Sequence, residues 1–129
     1  MREFTIYRND WLRGEGLYNS ELLRAEDGAM CCLGQIAIEM GLDSEELVDN
    51  KMPNDVAYGT RPNERGIPLQ EYIALFCMPG RWRADSIENT PLAAAAMYYN
   101  DNEDLAEWER EYSLTELFYL HDIALTFVD

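Results

Sequence analysis

Cys32 and His121 are the two side chains of this chain that could pair as a nucleophile and its base. A thiolate is the reactive form of cysteine, and a place near a helix N-terminus favours it. A histidine just before a strand could take the proton, with Asn100, Asp101 or Asp122 orienting the ring, and the order cysteine then histidine is that of a cysteine hydrolase. Against this, Cys31 and Cys32 lie in a run without charge from Ala29 to Ile38, where inert packed cysteine is the usual outcome. No activating motif surrounds them, so the chain is read as a non-enzyme and Cys32 as a packing residue. Adjacent Cys31 and Cys32, with Cys77 as the odd third, do not suit a disulfide framework and fit a reducing compartment. Together with His121 they lack the paired short spacings of a zinc module, so no metal or other cofactor is expected.

A second chemistry is the capture of an anionic ligand, which needs arginines and aromatics converging on a pocket. Trp11 with Arg13, Arg61 with Arg65, and Arg81-Trp82-Arg83 are the candidates, all in loop-like stretches. They would suit a nucleotide signal. The ordinary fate of such arginines is pairing with the chain's own carboxylates.

Those carboxylates are the third candidate. The chain has 25 acidic residues against 10 basic ones and a formal charge of −15. Residues 39–55 hold six acids against Lys51, and residues 101–129 hold nine against Arg110. Phosphate neutralisation dominates nucleic-acid affinity, so direct binding to DNA or RNA is not expected. A field of this sign attracts basic surfaces instead. The candidate partner-binding residues are Asp43, Glu45, Glu46 and Asp49 in the first block and Glu103, Asp104, Glu107, Glu109 and Glu111 in the second. Asp104, Glu107 and Glu111 fall at i, i+3 and i+7, which on a helix would give a carboxylate stripe opposite Leu105, Trp108 and Tyr112.

The elements that must position these groups follow from local pattern. Phe4–Tyr7 is a strand of aromatic and β-branched residues, and Ile123–Val128 is a closing strand. A short helix capped by Asn19 or Ser20 is expected to carry Leu22 and Leu23. Asp27-Gly28 is a turn. Leu33, Ile36, Ala37 and Met40 make Ala29–Met40 a buried central helix, stopped by a left-handed Gly41. Gly34 inside that helix implies that another element packs close there. Asp43-Ser-Glu-Glu46 is a capping box for a short helix through Val48. The Pro- and Gly-rich stretch 53–68 is expected to be a long loop. Pro68 opens an element through Phe76, and Thr90-Pro91 starts an alanine-rich helix to Tyr99. An acidic helix with an apolar Leu105–Trp108–Tyr112 stripe would be followed by a second helix, begun by the box Ser113-Leu-Thr-Glu116 and facing inward through Leu114, Leu117 and Phe118.

At 129 residues and 47% apolar content the chain suits one domain, 1–129. Strands near both termini, sharing a short sheet and packed with four to six helices, make the expected class α+β. No apolar stretch is long enough for a membrane span, and the first residues lack the apolar segment of a signal peptide.

Tyr7-Arg8, Trp11-Leu-Arg-Gly-Glu-Gly16, Leu22-Leu23-Arg24, Asp27-Gly28, Met30-Cys-Cys-Leu-Gly34, Asn100-Asp101, Leu117-Phe118, His121 and Phe127-Val-Asp129 occur in this order. Through them the chain resembles a widespread set of small bacteriophage-encoded proteins, largely without assigned function. In that pattern glycine usually follows the terminal histidine, and here Asp122 stands in its place. The resemblance implies expression in a host bacterial cytoplasm. By analogy with small acidic phage proteins, it implies an anti-restriction or anti-CRISPR inhibitor whose DNA-mimic-like surface occupies a basic host protein or nucleoprotein complex. Sequestration of a nucleotide immune signal and a cysteine hydrolase are the alternatives.

Overall fold

A computed structural model describes residues 1–13, 21–48, 50, 53–58, 66–77 and 92–129. Strand β1 (Arg2–Tyr7) and strand β2 (Ile123–Val128) pair in parallel, with Phe4 opposite Leu125 and Ile6 opposite Phe127. The chain ends therefore share a two-stranded sheet, and everything between them forms the crossover that parallel pairing requires. Opposed residues of a parallel pair share a face, so Phe4, Ile6, Ile123 and Leu125 are buried together.

Among the described residues six α-helices run between the strands: α1 (Cys32–Glu39), α2 (Ser44–Leu47), α3 (Pro53–Tyr58), α4 (Ile67–Phe76), α5 (Leu92–Asp101) and α6 (Glu107–Tyr119). The expected α+β class is what the chain adopts. The central helix is α1, whose residues Cys32 to Ala37 are all buried. Its exit is a Schellman motif: Gly41 N–H donates to Ile38 O at 3.0 Å and Leu42 N–H to Ala37 O at 3.0 Å, with Gly41 at φ +100°. The anticipated glycine stop is therefore in place.

Helix α1 also guards the free edge of β1. Tyr7 N–H donates to Gln35 Oε1 at 2.7 Å, Gln35 Nε2 donates back to Tyr7 O at 3.1 Å, and Thr5 N–H donates to Glu39 Oε2 at 3.0 Å. Side chains one helical turn apart thus supply the bonds a third strand would make, which blunts an otherwise exposed edge.

Gly34 meets the close approach its position implied. A Cβ built there would stand 1.7 Å from Leu22 O. The segment responsible is extended, which corrects the expected short helix around Leu22 and Leu23. Leu22 N–H donates to Asn50 O, Cys31 N–H to Glu21 O, and Leu23 forms an isolated bridge with Val48. Backbone groups satisfied by distant segments leave none for a helical ladder over residues 21–24. The Asp27-Gly28 turn is present, with Asp27 Oδ1 accepting Ala29 N–H at 3.0 Å and the Arg24 guanidinium holding the Asp27 carboxyl down to about 2.

Two further expectations are corrected. The loop expected over 53–68 begins as helix α3, opened by Pro53 in the first-turn position where its missing N–H costs nothing. The two helices expected after Asn102 are one: α6 runs unbroken from Glu107 to Tyr119, so Ser113 caps nothing. Its N-terminal bond is Ala106 N–H to Glu109 Oε1 at 3.0 Å. Leu114, Leu117 and Phe118 bury one face of α6, as anticipated. Trp108 and Tyr112, of the expected apolar stripe, are 71% and 62% exposed. At about 100° per residue the aliphatic trio and the aromatic pair lie on opposite sides, and one continuous helix can bury only one of them.

The turn into β2 carries Asp122 at φ +63°. This is left-handed backbone, the conformation for which glycine is the ordinary choice and aspartate a tolerated one.

Candidate functional site

The motif residues from three distant parts of the chain meet on one buried amide. Asn100, near the end of α5 and fully buried, accepts Trp11 Nε1–H at 2.7 Å and Cys32 N–H at 3.2 Å on the same Oδ1. Its Nδ2 donates to Leu12 O at 3.1 Å and to Asp101 Oδ1 at 2.8 Å. Cys32 is the first residue of α1, and Cys31 at the N-cap makes no side-chain capping bond. Asn100 therefore caps α1 from another helix, satisfying one of the N–H groups that a helix leaves open. Trp11 stacks tilted against Phe127 at 5.1 Å between centroids. The motifs around Trp11, Cys31-Cys32, Asn100-Asp101 and Phe127 thus build one interior polar knot.

A cysteine-hydrolase centre is not assembled there. Cys31 and Cys32 have no exposed surface. Burial pushes the Cys31 thiol up to about 12 and holds the Cys32 thiol well above its ordinary range, with Cys31 and Asp101 adding to the effect at Cys32. Desolvation outweighs the helix N-terminus that was expected to favour the thiolate. His121 follows α6, its Nδ1 lying 3.1 Å from Leu117 O. No hydrogen bond joins His121 to Cys32 among the described residues. A thiol reagent is therefore expected to label native Cys31 and Cys32 at least ~100-fold more slowly than the same thiols in denaturant, with half-buried Cys77 reacting first. Mass spectrometry of quenched samples would read this, and fast native labelling of Cys32 would contradict it.

The anionic-ligand candidates divide. Trp11 is 5% exposed and committed to Asn100. Arg13 lies over the Trp11 ring at 4.6 Å and pairs with Glu107. Both are engaged within the chain. Arg61, Arg65, Arg81, Trp82 and Arg83 lie outside the described residues. An open groove of about 370 Å³ between β1 and α1 is lined by Thr5, Tyr7, Asp10, Met30, Gln35, Ile38 and Glu39, with no cationic side chain among the described residues.

The carboxylates are also redistributed. Asp104 precedes α6 in a turn, its N–H bonded to Asn102 Oδ1, so Asp104, Glu107 and Glu111 do not share one helical stripe. Glu107 pairs with Arg13, and Glu111 takes both Nε and Nη2 of Arg8, at 3.0 and 2.8 Å. Glu46 accepts Asp43 N–H in the expected capping box, and Glu109 caps α6. Asp49 lies outside the described residues. Of the candidate set, Asp43, Glu45, Glu103 and Asp104 are exposed and make no ion pair among the described residues. Sequence reasoning missed Tyr119, 62% exposed, which continues the outward line of Trp108 and Tyr112. The spacing i, i+4, i+11 was the available signal.

Among the described residues no helix is long and apolar enough to cross a membrane, and no group of histidine, cysteine and carboxylate side chains could hold a metal ion. No protein-family model, curated protein or solved structure matches the chain.

Proposed function

We propose that this chain is a non-catalytic binding protein whose partner presents a basic surface, of the kind a nucleic-acid-binding defence protein uses to hold phosphates, and that it acts as a phage-type inhibitor of that partner. The observation that carries this is the fate of its arginines. Arg2 lies 3.9 Å from Glu71, Arg8 pairs with Glu111 and Asp129, Arg13 with Glu107 and Arg24 with Asp27, while Arg110 Nε–H donates to Asn102 O. Every described arginine is turned onto the chain itself, so the excess of acid is what reaches solvent. A surface of one sign speeds encounter with the opposite sign and excludes phosphate-bearing competitors. Of the candidate carboxylates, Asp43, Glu45, Glu103 and Asp104 are exposed and in no ion pair among the described residues, so they are available for contact. Glu107 and Glu111 hold the fold through Arg13 and Arg8.

The test is capture of a DNA-binding partner from a bacterial lysate at low and high salt, followed by a DNA competition assay on the captured protein. Binding should fall at least ~10-fold between 50 and 300 mM salt, as screening shortens the reach of exposed charge to a few ångströms. Combined Glu45→Lys, Glu103→Lys and Asp104→Lys should weaken it further. A partner that binds DNA equally well with and without this protein would refute the mimicry.

A further inference from the structure

On that reading of a basic partner, we propose that the solvent face of α6, formed by Trp108, Tyr112 and Tyr119, is the docking surface, and that its occupant is an arginine-rich helix or extended segment. The three rings are 71%, 62% and 62% exposed. With 100° and 1.5 Å per residue they fall within about 40° of one another along about 16 Å of helix. Leu114, Leu117 and Phe118 anchor the opposite face in the core, so the strip is held on a rigid element. Tryptophan and tyrosine are the residues that carry most binding energy at interfaces, and soluble monomers seldom align three of them in water. Rings of this size present roughly 400 Å² when two-thirds exposed, about half of one side of a standard interface. A carboxylate rim would complete the rest.

Charge selects the occupant. Glu109 and Glu116 border the strip on one side, Glu116 exposed and in no ion pair among the described residues, while on the other side Glu111 is already paired with Arg8, and the one cation of α6, Arg110, turns away to Asn102 O. Guanidinium groups stack on aromatic faces and reach neighbouring carboxylates in the same pose, which lysine does less well and which neutral or acidic segments cannot do. A second copy of this chain would set glutamate against glutamate along the seam. Nucleic acid would bring phosphates to the same border. An anionic lipid surface meets the same repulsion, since helices that lie on membranes carry basic rather than acidic flanks.

The experiment titrates the full chain with a synthetic arginine-rich helical peptide, its lysine counterpart and its glutamate counterpart, using calorimetry at low salt. The arginine peptide should bind tightest and the glutamate peptide not at all. Trp108→Ala and Tyr112→Ala should each weaken binding by about 10-fold or more. Trp108→Phe should stay within about 3-fold, and Tyr98→Ala, an exposed ring on α5, should change nothing. Equal binding of the arginine peptide by wild type and Trp108→Ala would overturn the docking surface while leaving a basic partner standing. Failure of wild type to bind any cationic peptide would overturn both. Concentration-dependent dimerisation abolished by Trp108→Ala, or a blue shift of tryptophan emission on phosphatidylcholine vesicles that Trp108→Phe removes, would assign the strip to a second copy or to a membrane and reject the proposal.

Discussion

Replacing Gly34 with alanine is expected to destabilise the protein by about 3 kcal/mol or more, although helix propensity alone would make it stabilising by about 1 kcal/mol. The added Cβ would lie 1.7 Å from Leu22 O and 2.7 Å from Leu22 C. Both are backbone atoms, so no rotamer change relieves the overlap. Leu22 is itself tied by its N–H to Asn50 O at 2.8 Å, and the next strand of chain by Cys31 N–H to Glu21 O at 3.1 Å. Either the extended segment leaves α1 and opens these bonds, or α1 shifts within a core where Leu22, Leu33 and Ile36 have no exposed surface. The sign makes the measurement decisive. Denaturant midpoints of wild type and Gly34→Ala would show a clear loss, and an increase would mean that Leu22 does not approach the helix.

Gly34 also shows what could be read in the residues and what could not. An interior glycine on an apolar helix announces a close approach, but its partner, Leu22, is named only by three-dimensional pairing. The local signals were reliable where a bond closes within a few residues: the Gly41 stop, the Asp43–Glu46 box and the Asp27 turn all formed. They failed where satisfaction is distant. Leu22 and Leu23 follow a cap-like Asn19-Ser20, yet bonds to Asn50 and the bridge to Val48 draw them into extended chain.

Helix α6 failed for a different reason. It carries two apolar stripes, and Ser113 with Glu116 imitates a helix start between them. The aliphatic stripe wins the core because Phe118 packs against Phe76, at 6.1 Å between centroids, and Leu114 and Leu117 close around it. The aromatic stripe is left in water. The carboxylate stripe was equally ambiguous. Glu107 and Glu111 sit one turn apart, but their partners Arg13 and Arg8 lie far away in sequence, so which acids remain free was not written in any local spacing.

Removing the Asn100 amide is expected to cost about 3 kcal/mol in Asn100→Ala, because two buried donors, Trp11 Nε1–H and Cys32 N–H, lose their shared acceptor and Leu12 O loses its donor. Asn100→Asp separates the parts of this effect. It keeps an oxygen for both donors, loses the bond to Leu12 O, and sets a second carboxyl beside Asp101, itself fully buried. Burial and the neighbouring carboxyl both favour the protonated form, so the new group has a folded pKa above its unfolded value of about 3.9. The sign follows from linkage: below about pH 4 the group is neutral in both states and adds no charge penalty, and stability is then lost as pH rises toward the raised folded value. Relative to Asn100→Ala at each pH, Asn100→Asp should therefore be the more stable variant near pH 4 and the less stable one, by about 1–2 kcal/mol, near pH 8. Urea titrations of both variants across that range would show the crossing. Parallel pH profiles would mean that position 100 is solvated, and that the knot joining Trp11, Cys32 and Asp101 does not exclude water.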